Sequence, residues 1–88
     1  MKNQIKTHNF TTNITFKLDQ FISLNIGDDE PVEQLELNPT ETVKIVGNGL
    51  TFYFGIKNEE VWYLDIVNDN MYYKMDDITI DHLMEFKA

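Results

Sequence analysis

The sequence predicts a mostly β protein of the α+β class: an antiparallel β-meander sheet or a partly closed small barrel, with a short C-terminal helix. Three observations predict it. Asn48-Gly49 lies between two alternating apolar runs, and Asn-Gly there is a strong short hairpin signal, because a type I′ turn needs positive φ at both central positions. Two more turn clusters, Asn58-Glu59-Glu60 and Asn68-Asp69-Asn70, divide residues 50–76 into strand-length pieces. Thr79 then stands where a helix cap belongs, with Ile78 before it and Leu83 after it in hydrophobic-staple positions.

From the N-terminus, residues 1–11, polar and lacking a long apolar run, read as a leader that includes His8. Ile14, Phe16 and Leu18, then Ile22, Leu24 and Ile26, keep one parity and read as strand, either one long bent strand or two strands about 19–21. A helix is the competitor, since 14, 18, 22 and 26 also share a face; the Thr, Asn and Ile content favours strand. Gly27 to Pro31 is a break. Leu35 and Leu37 alternate as a strand near 33–37, with a single helical turn at 31–35 as competitor, and Asn38-Pro39 turns into the meander.

The meander itself reads as strands at about 42–47, 50–57, 61–67 and 71–76. With Asn48-Gly49 at the turn, Ile45 opposes Phe52 and Val43 opposes Phe54. A three-residue loop at 58–60 pairs Ile56 with Trp62, Phe54 with Leu64 and Phe52 with Ile66, and a turn at Asp69-Asn70 pairs Ile66 with Tyr73 and Leu64 with Met75. All these large apolar groups then share one face. The other face carries the row Lys44, Tyr53, Asp65, Lys74 and the more apolar row Val46, Thr51, Val67, Tyr72. The N-terminal segment is expected to cover that second row; left open, Val46, Val67 and Tyr72 would form a self-association strip. In the final helix, Ile80, Leu83 and Met84 share the face that packs on the sheet.

Composition sets the limits on function. Eighty-eight residues make a single domain, 1–88, and 42% apolar content supplies one core. With no cysteine there is no disulfide, thiolate nucleophile or cysteine metal site. Fifteen acids face seven lysines and no arginine, which opposes direct nucleic-acid binding through phosphate neutralisation. The charge is uneven: residues 1–27 carry three lysines against Asp19 alone, and residues 28–88 carry fourteen acids against four lysines. The start shows no signal-peptide pattern and no run is long enough to span a bilayer, so a cytoplasmic, non-membrane protein is expected.

Catalytic constellations are missing from the pattern. Ser23 is the one serine, and neither His8 nor His82 is placed beside it by any motif. Gly47-Asn48-Gly49 lacks the lysine and following helix of a phosphate loop. Asp65 to Asp76 has the length of an EF-hand loop, but Val67 occupies its third position. The aromatics at 52–54, 62–63 and 72–73 lack the basic groove of a base-stacking platform. No enzyme activity, cofactor or metal is expected.

What the acids suggest is a binding protein whose carboxylates stand in for phosphates. Its expected partner-binding surface is Asp28, Asp29, Glu30, Glu33, Glu36, Asp76, Asp77, Asp81 and Glu85. The expected partner is a protein with a basic surface, and the expected role is inhibition of a nucleic-acid-binding protein by phosphate mimicry. The alternative is a self-associating structural subunit, a homodimer in its simplest form. Size, acidity and lack of cysteine are similar to those of small phage-encoded inhibitors, an analogy of composition that no motif carries.

Overall fold

A computed structural model describes residues 5–88. Its centre is one five-stranded sheet in the order β1-β2-β3-β4-β5, with β1 at Lys6–Thr11, β2 at Glu41–Gly47, β3 at Leu50–Lys57, β4 at Glu60–Asp65 and β5 at Met71–Lys74. Strands β2 to β5 form the expected antiparallel meander, and the sheet stays open rather than closing into a barrel. It is mixed, because β1 runs parallel to β2. Residues 6–11, expected as part of a leader, are thus an edge strand; the rest of that expectation, residues 1–4, lies outside the described residues.

The first hairpin has the expected register. Val43 pairs with Phe54, Lys44 with Tyr53 and Ile45 with Phe52, and Asn48 and Gly49 both take positive φ. The second hairpin does not. Asn58 and Glu59 form a two-residue turn, both with positive φ, so Lys57 pairs with Glu60, Ile56 with Val61 and Phe54 with Tyr63. This one-residue slip turns β4 over. Val61 and Tyr63 face inward beside Ile56 and Phe54, and Trp62 and Leu64 point to the opposite face. Ile66, expected inside, is exposed in the loop after β4. In β5, Tyr63 pairs with Tyr73 and Leu64 with Tyr72, which keeps Met75 inside as expected but changes its neighbours.

The slip is tolerated because both faces of the meander are covered. On the first face, α1 (Thr15–Asn25) and α3 (Ile80–Met84) enclose the main core of Leu18, Ile22, Val43, Ile45, Phe54, Val61, Met75 and Leu83. On the second, Leu37 packs with Leu64 and Tyr72, and Val32, Tyr53 and Trp62 close around them. Leu37 ends α2 (Gln34–Leu37), whose last carbonyl accepts a hydrogen bond from Lys57 Nζ at 2.9 Å. The cover on this face is therefore the 32–39 segment and not the N-terminal one. Gly55 lies beneath it: a Cβ there would stand 2.9 Å from the Tyr72 ring and 3.2 Å from Pro39.

Two expected strands are helices. Residues 15–25 form α1 because Thr15, Leu18 and Ile22 fall on one side at helical spacing, with Phe21 half-buried between them. Thr12 Oγ1 accepts the Ile14 amide at 3.2 Å just before the first turn. A strand would have needed Phe16 and Leu24 inside; the helix leaves both exposed. Residues 34–37 form α2, closed by Asn38 in the left-handed conformation, and Leu35 points to solvent while Leu37 is buried. The third helix is as expected. Thr79 caps it, Ile78 and Leu83 are both buried, and the Thr79 amide donates to His82 Nδ1 at 2.9 Å, completing a capping box.

Between β1 and β2 the chain travels round the whole sheet. After α1 crosses the first face, Ile26 bridges Met75 and Val32 bridges Tyr72, so residues 26–32 seal the outer edge of β5. Gly27 N donates to Lys74 O, and the Val32 and Tyr72 backbones exchange two bonds, all at 2.9 Å. The chain then returns across the second face through α2. This leaves β1 as the other edge, with no strand beyond it among the described residues; its last carbonyl, Thr11 O, accepts the Ala88 amide at 2.8 Å. No described helix is long and apolar enough to cross a membrane.

Candidate protein-binding surface

The wrap round β5 decides where the expected acids go. Asp28, Asp29 and Glu30 leave α1 beside the end of β5, and Asp76 and Asp77 leave β5 beside the end of α1. The Asp76 amide donates to Asn25 O at 2.9 Å, and the Asp76 carboxylate lies against the bare Cα of Gly27. Two acidic stretches far apart in sequence thus share one edge. Among the described residues one of these acids, Asp29, has an ion pair: the Lys74 ammonium lies 3.5 Å from it and 3.3 Å from Glu60. The carboxylates, Glu60 first, hold the Lys74 ammonium above its ordinary pKa. Glu33 and Glu36 stand at α2, over the second face, and Asp81 and Glu85 stand at α3, over the first. No ion pair or hydrogen bond among the described residues joins those four to the β5 edge.

The three residues of the expected self-association strip are not brought together. Tyr72 is 5% exposed under Val32 and Leu37. Val46 is half-buried on β2, and Val67 sits in the loop after β4, beside α1 on the other side of the sheet. The register slip and the 32–39 cover together separate the three.

A different surface emerges where α1 meets two loops. Phe16 is 73% exposed, Leu50 52%, Ile66 46% and Val67 84%, and all four line one groove of roughly 370 Å³ with Thr15, Asp19 and Tyr63. A second hollow of roughly 470 Å³ continues it, sharing Asp19, Tyr63 and Val67 and adding Ser23, Asp65, Asn68 and Tyr73. Among the described residues no lysine or histidine lines either part. Sequence reasoning missed this surface because it depends on α1: read as strands, residues 15–25 put Phe16 inside.

Both walls of the groove are held in place. Asn48 Nδ2, in the first hairpin turn, donates to Thr15 Oγ1 at 3.1 Å. Gly47 permits that approach, since a Cβ there would lie 2.8 Å from the Thr15 methyl. On the opposite wall, Asp65 organises the 66–70 loop. Its Oδ1 accepts the amides of Val67 and Asn68 at 3.2 Å, its Oδ2 accepts the Asn68 side-chain amide at 2.9 Å, and its carbonyl accepts the Asn70 amide at 2.7 Å. The Tyr73 hydroxyl donates to Asp69, whose other oxygen accepts the Met71 amide at 3.2 Å.

These contacts set the electrostatics of the groove. The Asn68 side-chain bond is the largest influence and lowers the Asp65 pKa; burial opposes it, and the amides of Asn68 and Val67 then add to the lowering. Burial pushes the Tyr63 hydroxyl up, and the negative charges of Asp65 and then Asp19 push it further, which places that hydroxyl within the field of both carboxylates.

The remaining candidate groups are engaged elsewhere. His8 Nε2 donates to Glu41 Oε1 at 2.9 Å between β1 and β2, and His82 serves the α3 cap. Among the described residues no three histidine, aspartate or glutamate side chains converge to hold a metal ion. Comparison with protein-family models, with curated proteins and with solved structures finds no match.

Proposed function

We propose that this chain is a non-enzymatic, acidic protein-binding module that meets a basic surface on a partner protein. The mode fits an inhibitor of a nucleic-acid-binding protein, with carboxylates taking the place of phosphates along the partner's site. One observation carries the reading: the wrap of residues 26–32 along β5 sets Asp28, Asp29 and Glu30 beside Asp76 and Asp77, with Lys74 divided between Asp29 and Glu60. Unpaired carboxylates in such an array raise a local negative potential, which speeds encounter with a positive surface and favours it over neutral ones.

The test is affinity capture from cytosolic extract, followed by a salt series and competition with nucleic acid. A specific partner should be released as ionic strength rises and should be displaced by its own DNA or RNA. The triple variant Asp28→Asn, Asp29→Asn, Asp76→Asn should lose it. Retention that is indifferent to salt and to the triple variant would remove charge as the driver.

The outer edge of β1, which has no strand partner among the described residues, supports a second reading, self-association as a structural subunit by edge-to-edge pairing. Sedimentation across a concentration series separates the two: a monomer at every concentration disposes of the second.

A further inference from the structure

Resting on the acidic-module reading, we infer that the groove between α1 and the 66–70 loop is the anchoring site for the basic partner, and that it takes a protein segment in which apolar side chains stand next to lysine or arginine. Single exposed apolar residues are ordinary on a protein surface; four large ones converging from three separate regions are not. Phe16 comes from α1, Leu50 from the first hairpin, and Ile66 and Val67 from the loop after β4.

The surface is also ordered before any partner arrives. The Asn48–Thr15 bond fixes one wall, and the four bonds to Asp65 fix the other, so Val67 is displayed by a loop that needs little further ordering. Pre-ordering of this kind removes part of the entropic cost of association. Charge completes the specification. Asp19 and Asp65 line the hollow and no cationic side chain does among the described residues, so an apolar occupant that also brings a positive charge is matched on both counts. The hollow is large enough for side chains of one short segment, at volumes ordinary for recognition clefts.

The experiment is a nuclear magnetic resonance titration of the full isotope-labelled chain with three synthetic peptides of equal length. One is amphipathic in leucine and arginine. The second keeps the arginines and replaces leucine by serine. The third keeps the leucines and replaces arginine by glutamate. The first should shift the amides of residues 16–19, 50–51 and 63–68, and the other two should bind at least about tenfold more weakly, a loss of about 1.4 kcal/mol. Phe16→Ser and Asp19→Asn should each weaken the first peptide severalfold while leaving the melting temperature unchanged.

Shifts confined to Asp28–Glu30 and Asp76–Asp77 would overturn the groove and leave the acidic module standing. No shift with either cationic peptide would overturn both. Equal binding by the serine or the glutamate peptide would overturn the combined specificity. Groove shifts on dilution alone would make a second copy of the chain the occupant, which also overturns it.

Discussion

The two consecutive hairpins, β2–β3 and β3–β4, use the same turn and teach different lessons. Each reverses through two residues with positive φ, Asn48-Gly49 in the first and Asn58-Glu59 in the second. In the first, the turn residues and the apolar alternation agree, and the register obeys both. In the second, Glu59 occupies a position where glycine is the usual choice, and Val61-Trp62-Tyr63-Leu64 is apolar at every residue. Parity fixes register only when one face is wet. Here the main core takes Val61 and Tyr63, and the smaller cluster under α2 takes Trp62 and Leu64. Turn geometry therefore decides between two registers that burial alone would accept.

The sharpest way to break this account is a pair of aspartates in β4 and its loop. Val61→Asp places an unpaired charge in the main core and should cost about 4 kcal/mol or more, leaving little folded protein by chemical denaturation. Ile66→Asp should cost no more than about 1 kcal/mol, because Ile66 is in the exposed loop. The register with Ile56 opposite Trp62 demands the reverse order, so circular dichroism melts of the two variants decide between them.

A smaller effect probes the second face. Gly55→Val drives a branched side chain into the Tyr72 ring and Pro39, and should cost about 1–3 kcal/mol by overpacking. Wild-type stability in this variant would mean that α2 does not cover the sheet. The turns themselves come next. Gly49→Ala should destabilise by about 1 kcal/mol, whereas Glu59→Gly should stabilise by about 0.5–1 kcal/mol, since it relieves a left-handed glutamate. Opposite signs at equivalent positions are the signature of two turns of the same type.

The smallest effect is the titration of Asp65. Its folded pKa lies below the unfolded value, with the Asn68 side-chain bond as the leading cause. The stability it adds is therefore complete above the unfolded aspartate pKa of about 3.9 and is lost as pH falls through the lower folded value. The amides of Val67 and Asn68 should track that depressed midpoint in an NMR pH series, and Asp65→Asn should abolish the dependence.

Legibility in the sequence divides along the same line. The first hairpin and α3 were readable because local chemistry states them outright: Asn-Gly in one, Ile78-Thr79 and a staple at Leu83 in the other. Helix α1 was not, because Ile14, Phe16, Leu18, Ile22, Leu24 and Ile26 satisfy a two-residue period as well as parts of a helical one. What selects the helix is a whole sheet face that needs covering. Strand β1 was hidden by its polar side chains, and its partner β2 is distant in sequence. The acids at 28–30 and 76–77 were identifiable as residues. Their meeting depends on the bridges from Ile26 and Val32 to β5, and only tertiary structure supplies those. The groove was invisible for the same reason as α1.

The path of the chain round β5 also bears on how the molecule is made. Residues 26–32 have their partners at 72–76, so this early stretch of the polypeptide has nothing to dock on until the far end of the meander has been synthesised. The hairpins close through neighbours in sequence and so have the low loop-closure cost of early events, whereas β1 and α1 must wait and then lie down over a finished scaffold. For a nascent chain this is a clasp fastened last, with Phe16 and Leu24 exposed both before and after it shuts.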